Sequence, residues 1–204
     1  RSVEAKAPEL LGPAKSYNVS VTGGFFGILR GRLEEMVIHG TDVKLKNGIS
    51  IDRLDVKLSR VRFKRDQTLS GVDKTTFTAF LSEDHLKDYL ATARSDMKDA
   101  EVSLAPGLLV LSARPRVMLI RTPVKLEGTL EIEKNTKLNI ILKKLSARGI
   151  RVPGFVRGKI QHDLNPVLDT TQMGMGMKLT KVSIDEGKIT LCGTADVKQA
   201  LATN

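Results

Sequence analysis

The chain has 204 residues, 41% of them hydrophobic and 27% charged, with 17 Gly and 7 Pro, a composition that permits a sizeable core and excludes bulk disorder. Lys and Arg number 33 against 23 Asp and Glu, a formal charge of +10 that points to an anionic partner: nucleic acid, an acidic lipid surface or a polyanionic glycan. A single cysteine, Cys192, excludes an internal disulfide and a multi-thiolate zinc site, and 0 Trp, 2 Tyr and 6 Phe leave few rings for single-stranded nucleic acid to stack on.

Val3 to Leu11 reads as the remnant of a helix, so residues 1–18 form an N-terminal helix or linker, 19–197 a single domain and 198–204 a tail. The chain opens at Arg1 rather than Met, and a signal peptide or anchor is expected upstream. Gly24-Phe25-Phe26-Gly27-Ile28-Leu29-Arg30-Gly31-Arg32 predicts a short, glycine-limited helix. From there apolar and polar residues alternate, the period of half-buried strands. Met36 to Leu45, the Lys46-Asn47-Gly48 turn, and Ile49, Ile51, Leu54, Val56, Leu58, Val61 and Phe63 predict a long hairpin. Its return strand changes parity between Ile51 and Leu54 and again between Leu58 and Val61, which predicts bulges and a curved sheet.

Ser82 predicts a helix cap, with Glu83 and Asp84 in the first turn and Leu86, Tyr89 and Leu90 on one apolar face. Ala105-Pro106-Gly107 predicts a hairpin turn between Glu101 to Leu104 and Leu108 to Ala113. Lys134-Asn135-Thr136 predicts another between a strand over Val117 to Ile132, changing parity at Thr122-Pro123, and one over Leu138 to Leu145. Phe155, Val156, Ile160, Leu164, Val167 and Leu168 have helical spacing, with Pro166 kinking or ending that helix near its third turn. Asp185-Glu186-Gly187-Lys188 joins a last pair of strands.

Tyr17-Asn18-Val19-Ser20-Val21, followed by Phe25 to Arg32 and a Val/Ile strand, resembles the opening of the LmeA-like phospholipid-binding family found in bacterial envelopes. Phe80 to Leu90 resembles that family's recurring helix start, and Asp185 to Gly193 its closing hairpin. The resemblance runs from about Val19 to Gly193. It implies a β-rich α+β fold: a highly curved antiparallel sheet of long meandering strands packed on a few amphipathic helices, similar to the tubular lipid-binding (TULIP-like) proteins. It also implies an apolar groove for acyl chains, an exported or membrane-associated protein of the envelope or periplasm, and no catalytic residues.

The segment from Lys134 to His162 contains Lys134, Lys137, Lys143, Lys144, Arg148, Arg151, Arg157 and Lys159 and no Asp or Glu. Lys57, Arg60, Arg62, Lys64 and Arg65 form a second acid-free run, in which positions 60, 62 and 64 share one face of a strand. With Arg30 and Arg32 these cations are candidates for an anionic headgroup or membrane surface, each contributing on the order of 1 kcal/mol beside an acidic leaflet; a merely solvated basic face is the competing reading.

Phe25, Phe26, Ile28 and Leu29 predict an apolar tip at the headgroup boundary or, alternatively, ordinary core packing. Val152, Phe155, Val156, Ile160, Leu164 and Leu168, with Met173 and Met175 among glycines, are candidates with that tip for lining the lipid groove. His39, His85 and His162 lack metal-ligand spacing, no nucleophile elbow or phosphate loop is present, and no metal or cofactor is expected. The reading is therefore non-enzymatic binding of a phospholipid or fatty-acyl ligand with docking to anionic membrane, for sequestration or transfer. The alternatives are an envelope scaffold with a filled core that binds a polyanionic glycan or protein, and a nucleic-acid binder.

Overall fold

Long runs of alternating residues draw most of the chain into antiparallel strands. The computed structural model describes residues 8, 11–45, 48–64, 69–93, 99–114, 116–117, 120–121, 123–173 and 176–196. Ser16–Thr22 (β1) leads through a short helix, Phe25–Leu29 (α1), into Arg32–Lys44 (β2) and Ser50–Phe63 (β3). Gly31 lies between α1 and β2 with φ at 67°, where an added Cβ would stand 2.8 Å from the Phe63 carbonyl oxygen. Leu69–Gly71 (β4) pairs with β3, and Lys74–Ser82 (β5) runs into Glu83–Ala93 (α2).

After α2 come Glu101–Ala105 (β6), Leu108–Ala113 (β7), the short Arg116–Val117 (β8) and Ile120–Arg121 (β9), Val124–Glu133 (β10), Lys137–Ala147 (β11) and Ile150–Arg151 (β12). Gly154–Leu164 (α3), Leu168–Asp169 (β13), a turn of 3-10 helix over Thr170–Met173, Lys178–Asp185 (β14) and Lys188–Ala195 (β15) complete the order. The larger sheet has the order β1-β2-β3-β5-β15-β14, and the smaller the order β12-β11-β10-β7-β6 with β13 also on β11. This is the expected β-rich α+β architecture, with the strands divided between two main antiparallel sheets and a two-stranded ribbon of β8 and β9.

The parity changes in β3 are present, but within the β2–β3 pair they are not bulges. Inward-facing positions pass from Val43 and Ile51 to Gly40 and Leu54, and from Met36 and Leu58 to the half-buried Leu33 and the buried Val61, while the register stays in step throughout. Each change places one residue in the left-handed region, Asp42 at φ 50° and Arg60 at φ 51°. Both strands turn over together, so the pair coils without gaining an unpaired residue. True bulges lie elsewhere, at Glu127/Gly128 between β10 and β11 and at Leu179/Lys181 between β14 and β15.

Two further expectations change, and a third group of residues is not described. The strand over Val117 to Ile132 is broken: β8 and β9 pair with each other, and β10 begins only after Pro123, which has no amide hydrogen for a ladder. The last helix ends at Leu164, before Pro166, so Leu168 lies in β13, opposite Leu138. Most of the Val3 to Leu11 segment, with Lys46, Asn47, Arg65, Met175 and the tail over 198–204, lies outside the described residues.

Val43 and Val61 are fully buried in the main core, which also takes Met36, Ile38, Leu54, Leu58 and Phe77 from the larger sheet and Leu138 from the smaller. Ser82 caps α2, its Oγ accepting from the His85 amide, and donates from N and Oγ to the Asp52 carboxylate of β3. His85 Nδ1 stands 3.0 Å from Asp52 Oδ2, within ion-pair reach but out of line for a hydrogen bond. Burial alone would raise the Asp52 carboxyl; the two Ser82 bonds and the neighbouring His85 together outweigh it and hold the group below its ordinary value.

Asp52 therefore stabilises the fold above the ordinary carboxyl value of 3.8, and that contribution is lost as pH falls through the lower folded value. In urea titrations across pH, Asp52→Asn is expected to be less stable than the wild type near neutrality, the gap closing in acid. A Cβ on Gly193 would meet the Lys178 carbonyl oxygen and the buried Phe77 ring, both at 2.4 Å. Gly193→Ala is expected to lower the unfolding free energy by about 1–3 kcal/mol with an unchanged denaturant slope.

Candidate functional site

α3 runs back along β11, and its polar side chains occupy the strand's outer edge. Arg157 Nη1 donates to the Lys143 carbonyl at 2.9 Å, and Gln161 Oε1 accepts from the Leu142 amide at 2.8 Å. Asn165, just past the helix, accepts from the Ile140 amide at 2.8 Å and donates to the Ile140 carbonyl at 3.0 Å. Val167 N then donates to the Leu138 carbonyl, β13 pairs below it, and β12 pairs above at Ser146 and Ala147. Positions 157, 161 and 165 recur every four residues, so one helix face does the work of a missing strand.

None of the residues of α3 is buried, so these polar bonds carry much of its attachment. Val152, Ile160 and Leu164 are half-buried over Leu126, Ile140, Leu142 and Leu145, the four buried members of the smaller sheet's own cluster. Leu109, Leu111, Val124 and Leu130 are half-buried around the same four. Seven half-buried apolar side chains thus surround the four buried ones, and α3 covers part of this cluster with Ile160 and Leu164.

The structure separates the other groove candidates from this cluster. Phe155 is 81% exposed at the start of α3, and Phe25 and Leu29 are 72% and 69% exposed on α1, with Ile28 exposed beside them. The side chain of Phe26 lies outside the described positions. None of Phe25, Ile28 and Leu29 joins a core cluster, so they are not core packing. Val156 and Met173 are half-buried, and Leu168 packs into the main core. Beside α3 a cavity of about 380 Å³ is lined by Glu133, Lys137, Asn139, Gly158, Gln161, His162, Asn165 and Pro166, walls too polar for an acyl chain.

The basic runs, free of acids in sequence, are not equally free in space. Arg60 and Arg62 both bond Asp73, at 2.6 and 2.8 Å, and Lys57 pairs with Glu35. Arg62 first and Arg60 second hold the Asp73 carboxyl below its usual range. Lys144 lies 3.0 Å from Glu127 and lowers that carboxyl, with Lys125 also close. Arg30, Arg32 and Lys64 are exposed around the α1 end of the larger sheet. Lys143, Arg148, Arg151 and Lys159 have no carboxylate partner among the described residues and sit at or near the far end of the smaller sheet. The bulge at Glu127/Gly128 explains how the successive residues Lys143 and Lys144 both face solvent: Lys144 pairs with Glu127 and Leu142 with Gly128, leaving Lys143 as the extra residue.

The sequence reading did not assign Gln161 and Asn165; two polar residues one turn apart on the α3 pattern were the available signal. It also did not place Ile150 among the site residues, although this side chain is 74% exposed beside Arg151. No helix among the described residues is long and apolar enough to cross a membrane.

Residues 2–194 match the family described as LmeA-like phospholipid-binding, and the chain belongs to that family. Comparisons with curated proteins and with solved structures found no match. The family is defined by lipid binding rather than by a reaction.

Asn165→Ala removes both bonds to the buried Ile140 backbone and is expected to cost about 1–3 kcal/mol in a urea titration, whereas Arg157→Ala, at the wetter end of the same edge, is expected to cost less.

Proposed function

We propose that this member of the LmeA-like phospholipid-binding family is a non-enzymatic envelope protein, peripheral to the membrane, that holds phospholipid acyl chains on the apolar cluster beneath α3. The match over residues 2–194 carries the reading. Its physical support is the smaller sheet's cluster, where Leu126, Ile140, Leu142 and Leu145 are rimmed by half-buried Leu109, Leu111, Val124, Val152, Ile160 and Leu164. Each methylene laid against such a surface gains about 0.8 kcal/mol relative to water, so a chain of ordinary length has ample driving force without any catalytic group. The α3 fastening suits this role: the helix keeps its hydrogen bonds to β11 while its apolar side remains available to a ligand.

The exposed cations supply the second half of the reading, docking to an anionic leaflet for sequestration or transfer. Arg60 and Arg62 contribute less than their number suggests, because Asp73 offsets them; Lys143, Arg148 and Arg151 have no such carboxylate partner among the described residues.

Native mass spectrometry of the purified protein, followed by solvent extraction, is expected to find stoichiometric phospholipid. Ile160→Glu combined with Leu164→Glu is expected to remove it while the far-UV circular dichroism stays that of the wild type. A wild-type protein that is empty and takes up no fluorescent phospholipid overturns the reading.

A further inference from the structure

Building on the phospholipid-binding reading, we propose that the free end of the smaller sheet is a wedge that enters anionic bilayers. Ile150 and Phe155 are its apolar edge, and Lys143, Arg148, Arg151 and Lys159 are its cationic collar.

The wedge is rigidly presented. Arg148 and Gly149, with φ of 50° and 78°, form the two-residue turn from β11 to β12, and Ala147 pairs with Ile150 across it. The Arg148 amide donates to the Pro123 carbonyl, and the Val152 amide to the Leu145 carbonyl, which anchors the turn on both sides. Ile150 and Phe155 therefore project from fixed backbone, at 74% and 81% exposure. Burying neither inside its own fold, the chain leaves two large apolar side chains in water, an arrangement that calls for an apolar occupant.

The collar identifies that occupant. Arg151 follows Ile150 directly, Arg148 lies across the tight turn, Lys159 is four residues beyond Phe155 on the same helix face, and Lys143 is tied to α3 through the Arg157 bond to its carbonyl. None of the four cations has a carboxylate partner among the described residues, whereas Arg53, Lys57, Arg60, Arg62 and Lys144 all do. Nucleic acid matches the charge but has no use for an exposed Ile and Phe. A bilayer carrying acidic headgroups matches both, the apolar pair entering the acyl boundary while the cations remain among the phosphates. α1 also exposes Phe25, Ile28 and Leu29, with Arg30, Arg32 and Lys64 around it; the wedge, with four cations among the described residues, has the larger collar.

The position also gives the lipid a path. α3 starts at Gly154, beside Phe155, and runs back along β11 toward Leu164, so the apolar cluster proposed to hold the lipid lies along the helix that leads away from the wedge.

The chain contains no Trp, so Phe155→Trp installs a single reporter and Phe25→Trp a matched one on α1. Each is mixed with phosphatidylcholine vesicles with and without phosphatidylglycerol, some carrying brominated acyl chains. Expected are a blue shift and bromine quenching for Phe155→Trp with phosphatidylglycerol present, and neither for Phe25→Trp. Vesicle flotation of the Ile150→Ser/Phe155→Ser double variant is expected to weaken by at least about tenfold, and Arg148→Glu/Arg151→Glu by a comparable factor that shrinks as salt rises. An unchanged Phe155→Trp spectrum on vesicles that float the protein, or tighter binding to duplex DNA than to these vesicles at equal salt, overturns the proposal. Lipid content by native mass spectrometry separates the two readings. Bound lipid with a silent Phe155→Trp sinks the wedge alone, whereas a quenched Phe155→Trp on a protein that never holds lipid sinks the binding reading alone.

Discussion

β14 is the strand on which the two sheets depend. It closes one edge of the larger sheet, and its outer side receives the turns of the smaller sheet rather than another strand. The Leu179 amide donates to the Asn135 carbonyl, the Gly107 amide to the Ile184 carbonyl, and the Gly187 amide of the adjoining turn to the Leu104 carbonyl. Apolar burial completes the joint: Leu179 is 1% exposed, Leu104 packs with Ile184 and Ile189, and Leu138 joins the core of the larger sheet. Two backbone groups of that edge, the Leu179 amide and the Ile184 carbonyl, are thereby satisfied by turns of the smaller sheet. Everything said of the smaller sheet follows from being anchored there at one end.

Anchoring at one end produces a gradient. Near β14 the buried Leu104, Ile184 and Ile189 come from both sheets, while farther along β10 and β11 the buried Leu126, Ile140, Leu142 and Leu145 belong to the smaller sheet alone. A helix recruited by burial would have filled that face. α3 is instead held through Arg157, Gln161 and Asn165 on backbone groups of β11, bonds that fix its position whether or not its underside is occupied. The polar residues that bond β11 and the apolar residues Ile160 and Leu164 thus lie on different faces of the same short helix.

The sequence made the hairpins legible because their turns carry strong local chemistry: Pro106-Gly107, Lys134-Asn135 and Glu186-Gly187 all fall where strands reverse. Ser82 declared its helix for the same reason. The resemblance carried from motif order also agrees with the family to which the chain belongs. What local reading missed was set by distant partners. Asp73 is remote in sequence from Arg60 and Arg62 yet offsets both, so an acid-free run of residues is not an uncompensated patch. Alternation predicts opposite faces for Lys143 and Lys144, and only the bulge opposite Gly128 turns both outward. Leu168 kept helical spacing with Leu164 although the chain had already left the helix to pair with Leu138.

The matched turnover of β2 and β3 at Asp42 and Arg60 bears on how relatives of this protein can differ in length. A bulge stores its extra residue on one strand and can be gained or lost there; a turnover shared by two strands in constant register has no spare residue to give up. Deleting one residue between Leu33 and Val43 would send every later side chain of β2 to the wrong face and bring Val43, fully buried here, to the surface. A relative that keeps this pairing could therefore change length by one residue in the connection between Lys44 and Ser50 but not within the coiled strands.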